Sequence, residues 1–211
     1  VQYDREVESA NEKFGPIFAA YAAKPIEELA KDEDALKIGK RLYLQNCSQC
    51  HGSDARGARG FPNLADNDWL YGGDPATIKA SIMDGRIAAG MMAWEGALGG
   101  EQGVKEVAHF VMSLSGRKDA DEALATAGKA KFAMCVACHG PNGEGSAKMG
   151  IPLGAPNLAD NIWLYGPSEK AIMTSIAKGR AGVMPPWKEI LGEDKVHVIS
   201  AYVYSLSPQE K

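Results

Sequence analysis

Cys47-Ser-Gln-Cys50-His51 and Cys135-Val-Ala-Cys138-His139 decide the reading of this chain. Each is a C-x-x-C-H run, the attachment signature of a c-type haem. The chemistry sets the spacing. Two thiols add across the two vinyl groups of one porphyrin, and the following histidine comes to lie under the iron as its proximal ligand. The 211 residues include four cysteines and four histidines, so the two runs take every cysteine and half of the histidines. Disulfides would explain the cysteines but not a histidine directly after each pair. A four-ligand zinc site would leave the two matching C-x-x-C-H-G sextets unexplained. A thioredoxin-like C-x-x-C needs a βαβ context that the sequence lacks. The expectation is two covalent c-type haems, one on Cys47 and Cys50 with His51, the other on Cys135 and Cys138 with His139.

The flanking sequence repeats too. Pro62-Asn-Leu-Ala-Asp-Asn-Asp-Trp69-Leu-Tyr71-Gly recurs as Pro156-Asn-Leu-Ala-Asp-Asn-Ile-Trp163-Leu-Tyr165-Gly. Gly85-Arg86 recurs as Gly179-Arg180, and Met91-Met-Ala-Trp94 as Met184-Pro-Pro-Trp187. The offset is 88 at the first cysteine and 94 at the proline, so the second copy carries six extra residues just after its haem motif. One duplicated unit gives two small domains, residues 36–116 and 117–211, after an arm at 1–35. Units of this size bury little apolar surface unaided, and a covalent haem supplies the missing core. The haem-free chain is therefore expected to fold poorly.

The local pattern is helical. Residues 34–44 combine N-terminal acids with apolar spacing and are matched by 123–132, and each holds a glycine four residues before an aromatic, Gly39 to Tyr43 and Gly128 to Phe132. Residues 104–114 and 196–206 repeat apolar groups at three and four. Shorter helices are expected at 75–84 and 168–178, with Gly- and Pro-rich loops between. No alternating strand pattern of useful length appears. The fold class is all-α, and the units resemble class I cytochromes c, in which the Gly-x-x-x-aromatic face crosses the last helix.

That resemblance implies more. Pro62 and Pro156 look like the class I proline whose carbonyl accepts a hydrogen bond from the proximal histidine, a contact that orients the ring. Leu64 and Leu158 would then pack on the haem face. Arg86 and Arg180 would neutralise haem propionates, or else are ordinary surface charges. Each iron needs a sixth ligand. Met184 lies in a loop stiffened by two prolines. Counting back three residues from each tryptophan sets Met91, not Met92, opposite it. Read by sequence unit, Met91 serves the first haem and Met184 the second. His109 and His197 are rivals, but they occupy unmatched positions in the two copies and read as solvated or partly buried helix side chains. Trp94 and Trp187 read as packing anchors.

Charge is unevenly placed. Residues 1–35 hold nine acids and four bases, a net of −5, and the remainder is +1, so the arm accounts for the chain's whole acidic excess. Phe14-Gly-Pro-Ile-Phe-Ala-Ala-Tyr21 within it is apolar enough to pack on something. The link at 116–121 is short and charged, which keeps the haem domains close. There is no basic patch for nucleic acid, no phosphate loop and no apolar run that spans a bilayer. The sequence opens on Val1 with no signal peptide. Haem attachment of this kind takes place outside the bacterial cytoplasm, so an upstream export segment is expected.

A closer resemblance covers nearly the whole chain. Gln2-Tyr-Asp-Arg-Glu-Val-Glu8, Pro25-Ile-Glu-Glu-Leu29 and the stretch from Asn46 to Gly73 resemble the dihaem subunit III family of cbb3-type cytochrome c oxidases. Members carry an N-terminal membrane anchor, so the resemblance implies the periplasmic portion of such a subunit, on the outer face of the inner membrane. It implies electron transfer from a periplasmic donor cytochrome c through the monohaem subunit to the oxygen-reducing catalytic subunit, with no catalysis by this chain. Because the acidic excess sits in residues 1–35 and both haem domains are nearly neutral, the arm is expected to dock on the membrane partners and not to steer the donor, so that deleting residues 1–30 impairs assembly. The competing readings are a free dihaem shuttle cytochrome, a dihaem peroxidase and a gas or redox sensor. The last two need an iron with an exchangeable site, against one methionine per unit.

Overall fold

A computed structural model describes residues 2–87 and 90–208, apart from the side chains of Tyr3, Asp4, Val7, Ala10 and Asn11. The resemblance drawn on Tyr3 and Asp4 thus concerns side chains outside the described set, as do the last three residues of the second unit. The helices are α1 (Gln2–Ala22), α2 (Ile26–Leu29), α3 (Glu33–Asn46), α4 (Ser48–His51), α5 (Pro75–Asp84), α6 (Glu101–Leu114), α7 (Glu122–Lys131), α8 (Val136–His139), α9 (Glu169–Lys178), α10 (Lys188–Leu191) and α11 (Glu193–Leu206). One 3₁₀ turn, Phe132–Met134, precedes the second motif. Two-residue strands β1 (Arg86–Ile87) and β2 (Val183–Met184) pair antiparallel, Arg86 opposite Met184 and Ile87 opposite Val183.

Side-chain caps start the longer helices. Asp32 accepts from the amides of Asp34 and Ala35, Asp74 from Thr77, Asp121 from Leu124 and Ser168 from Ala171. Each cap satisfies amides that the first turn leaves without a helical partner. Pro75 opens α5, where its missing N–H is no loss. Both α5 and α9 stop at a glycine with positive φ, Gly85 at +69° and Gly179 at +72°. A β-carbon there would collide with the Met184 carbonyl at Gly85 and the Met91 carbonyl at Gly179.

The packed bodies do not follow the sequence units. Gly39 of α3 lies against α11, where an added β-carbon would be 2.7 Å from Tyr202 Cβ and 2.8 Å from the Val198 carbonyl. Gly128 of α7 lies against α6, and its β-carbon would be 2.9 Å from the Val107 amide. One core joins Tyr43, Ile78, Ile82, Val196, Ile199 and Val203. The other joins Val104, Val107, Val111, Met112, Phe132, Ile172 and Ile176. The first lobe is therefore 33–87 completed by 183–206, and the second is the continuous stretch 90–180. The crossing of Gly39 or Gly128 with a last helix is present, but the last helix comes from the other copy. The pairing of β1 with β2 marks where the chain crosses over. The chain leaves the first lobe after β1, builds the second, and returns along β2 to close the first.

The described part of the arm joins the first lobe through α2. Ile26 and Leu29 of α2 are buried with Ala35 and Ala201, and Tyr21 and Tyr204 pack on them. Lys195 of α11 lies 5.8 Å from the Phe18 ring centroid. Phe14 and Ile17 stay nearly half exposed. Among the described residues, no helix is long and apolar enough to cross a membrane.

Candidate functional site

The one-turn helices α4 and α8 bring the motif residues to one face. His51 N–H donates to the Cys47 carbonyl at 3.0 Å, and His139 N–H to that of Cys135 at 2.9 Å. These i to i+4 bonds stack the first thiol and the imidazole on one side of the turn. The four thiols are free, Cys50 and Cys138 exposed, Cys47 and Cys135 half-buried. Burial pushes the Cys47 thiol up to about 11 and raises that of Cys135.

The two histidines are set alike. His51 Nδ1 lies 3.0 Å from the Pro62 carbonyl, and His139 Nδ1 lies 2.9 Å from that of Pro156. A carbonyl only accepts, so Nδ1 carries the proton and Nε2 keeps its lone pair. Burial lowers the pKa of both rings, against the opposing carbonyl bond, and favours the neutral form that binds metal. The carbonyls are held by their loops. Leu64 N–H donates to Ala55 at 2.8 Å and Leu158 N–H to Gly143 at 2.6 Å. Gly57 and Gly145 amides donate at 2.8 Å to the carbonyls of His51 and His139. One contact has no counterpart: the Tyr43 hydroxyl donates to the Gly52 carbonyl at 2.7 Å, where the second copy has Phe132.

The methionines sit crosswise. Met184 packs on the first core with Cys47, Leu64, Trp69 and Trp187. Met91 packs on the second with Cys135, Leu158, Trp163 and Trp94. The assignment of Met91 to the first motif by sequence unit is thus corrected. The structure brings Met91 to the His139 lobe and Met184 to the His51 lobe, because the chain crosses between them. Met92 is 64% exposed. Trp187 N–H donates to Ile82 and Trp94 N–H to Ile176, each at 3.0 Å, which fixes both methionine loops against the short helices.

His109 and His197 are buried, not solvated. His109 Nδ1 accepts from the Asp121 amide at 2.9 Å, and its Nε2 lies 3.3 Å from Glu169 Oε1. His197 Nε2 donates to the Lys24 carbonyl at 2.8 Å. Each is committed to a segment distant in sequence, which explains both the burial and the unmatched positions. Arg86 stacks 4.2 Å over the Tyr71 ring and Arg180 4.1 Å over Tyr165. Arg180 Nη2 is buried with no hydrogen-bond partner.

These residues fit a covalent haem. Reduced thiol pairs, a lone pair at each Nε2, apolar walls from Leu64 and Leu158, and an orphaned guanidinium nitrogen match its vinyl groups, iron, ring and carboxylates. No cluster of three or more His, Cys, Asp or Glu suited to a bare metal ion occurs among the described residues.

Known proteins agree with this chemistry. The chain matches the family described as cytochrome c oxidase, cbb3-type, subunit III over residues 34–111 and 123–203. It is 45% identical over 206 residues to the cbb3-type cytochrome c oxidase subunit CcoP of Rubrivivax gelatinosus, covering 98% of this chain and 66% of that protein. It is 41% identical to subunit FixP of Bradyrhizobium diazoefficiens, over 96% of this chain and 74% of the relative. With subunit CcoP of Azospirillum brasilense the identity is 35%, over 98% and 74%. The chain spans about two thirds to three quarters of these relatives' length. By the extent of the match, this all-α chain with its two tandem cytochrome c repeats belongs to the subunit III family of cbb3-type cytochrome c oxidases.

Proposed function

We propose that this chain is a dihaem electron-transfer subunit, which takes electrons from a periplasmic donor cytochrome c. It passes them by way of the monohaem subunit to the oxygen-reducing catalytic subunit of a cbb3-type oxidase. It is not itself the catalyst. It belongs to a membrane-associated complex, and we place it on the periplasmic face, held by a membrane anchor outside residues 1–211. The observation that carries this reading is the twofold recurrence of one arrangement. In each, a buried histidine is fixed by a proline carbonyl beside a free thiol pair, with a methionine from the other copy packed on the same core.

When bound, each haem supplies one-electron chemistry at its iron. The chain does the rest. Cys47 and Cys50, and Cys135 and Cys138, would anchor one ring each through their free thiols. His51 and His139 offer Nε2, with the tautomer fixed by Pro62 and Pro156. Met184, packed on the first core, and Met91, packed on the second, would each offer a thioether sulfur as a second iron ligand. Leu64 and Leu158 exclude water from the ring faces. Rigid ligand pairs of this kind keep rearrangement small when the charge changes.

The test is haem counting on the holoprotein. A pyridine haemochrome assay is expected to give two haems per chain, resistant to acidified acetone. The reduced protein is expected not to bind carbon monoxide. One haem per chain, or extractable haem, would contradict the reading.

A further inference from the structure

The two lobes are near copies, so their differences carry information. Each holds an arginine directly after a positive-φ glycine and stacked on a tyrosine. Each arginine donates from Nε to a serine five residues earlier, Arg86 to Ser81 and Arg180 to Ser175, both at 2.9 Å. The serine hydroxyls already donate to the carbonyls of Thr77 at 2.8 Å and Ala171 at 3.0 Å, so they act towards the guanidinium as acceptors. Each arginine is also the backbone partner of its lobe's methionine. Arg86 pairs with Met184 in the ladder, and the Arg180 amide donates to the Met91 carbonyl at 2.9 Å.

The lobes differ at the second nitrogen. Arg86 Nη2 also donates to Ser81 Oγ, at 2.7 Å. Arg180 Nη2 is buried and makes no hydrogen bond. An unpaired buried N–H on a permanent cation is strongly unfavourable. The nitrogen therefore needs an acceptor from outside the polypeptide, and an anionic one matches best. The residue lies beside Met91, in the lobe that carries His139. The carboxylates of a haem seated there have the required chemistry.

We propose that Arg180, seated by Ser175 and Tyr165, gives a buried charge-assisted hydrogen bond to a propionate of the second-lobe haem and makes that haem the higher-potential one. The proposal rests on the dihaem reading above. A fixed cation favours the state with one more electron, and the effect grows as the surroundings lose water. Arg86 has both Nε and Nη2 turned back on Ser81, so less of its donor capacity faces outward. The chain's own part would be electrostatic: Arg180 would hold its fixed charge beside the second-lobe haem and so favour the electron there, with no bond made or broken and no proton required. Ser175 and Tyr165 act as positioning residues.

The test is a spectroelectrochemical titration of the holoprotein with both haems in place. Arg180→Gln is expected to lower the higher of two potentials and leave the other. Arg86→Gln is expected to lower the lower potential, by a smaller shift. Ser175→Ala keeps the charge but frees the guanidinium. It should lower the higher potential by less than Arg180→Gln does, with the methionine-to-iron near-infrared band intact. This milder variant carries the test if Arg180→Gln fails to load haem. A shift of the lower potential in Arg180→Gln, or unchanged potentials in Ser175→Ala, would overturn the proposal. A wild-type holoprotein with one haem would instead overturn the dihaem reading, so the two failures are distinguishable.

Discussion

Two ring nitrogens per histidine divide the labour at the residue scale: Nδ1 is held by a proline carbonyl and Nε2 is left for iron. Tyr43 shows how much one further hydroxyl adds. It is fully buried and donates to Gly52, whereas Phe132 fills the same place in the other lobe without that bond. Tyr43→Phe is expected to cost about 1 kcal/mol in thermal unfolding of the holoprotein, with the haem spectrum unchanged. Asp68 behaves differently. Burial, then the charges of Asp160 and Asp66, raise its carboxyl from 3.8 to about 6, against a smaller opposing effect of Lys148. The folded state thus holds this proton more tightly than the unfolded chain. The stability it contributes is present below pH 3.8 and is lost as pH rises through about 6. Asp68→Asn is expected to remove that loss, gaining up to about 1 kcal/mol at pH 7 after solvent screening. Melting curves from pH 4 to pH 8 check it. The motif residues were legible in the sequence because covalent chemistry fixes their spacing. The settings of Asp68, His109 and His197 were not, because their partners Asp160, Glu169 and Lys24 lie far along the chain.

Helices carry the next level of the argument. Gly39 and Gly128 let α3 meet α11 and α7 meet α6 at backbone distance. Gly39→Ala sets a β-carbon 2.7 Å from Tyr202 Cβ, and such overpacking is expected to cost about 1–3 kcal/mol. Chemical denaturation of the holoprotein measures it, with a loss below about 0.5 kcal/mol contradicting the packing described. The expected helices at 34–44, 75–84, 104–114, 123–132, 168–178 and 196–206 are all present, with ends moved by a few residues at most. Acidic and serine caps and three-four apolar spacing made them readable. Strands β1 and β2 were not, since two residues carry no alternation. Yet that short ladder marks the point where the chain crosses between the lobes.

On the scale of the whole molecule, duplication and packing part company. The first lobe closes only when residues 183–206 return to it, so neither sequence repeat holds a complete haem seat. The acidic arm belongs to the first lobe through Ile26 and Leu29. A cut at residue 30 would strip Leu29, which is fully buried, so the docking role of the arm is better tested by deleting residues 1–19. That deletion is expected to leave both haem spectra intact while impairing assembly of the full-length subunit into its complex, seen on native gels. Normal assembly would contradict the docking role. The central claim is the crossed arrangement, and one measurement addresses it directly. The double substitution Cys135→Ser, Cys138→Ser leaves a single haem on Cys47 and Cys50. In that background the near-infrared methionine-to-iron band is expected to vanish with Met184→Ala and persist with Met91→Ala. Loss of the band with Met91→Ala and its persistence with Met184→Ala would contradict the account.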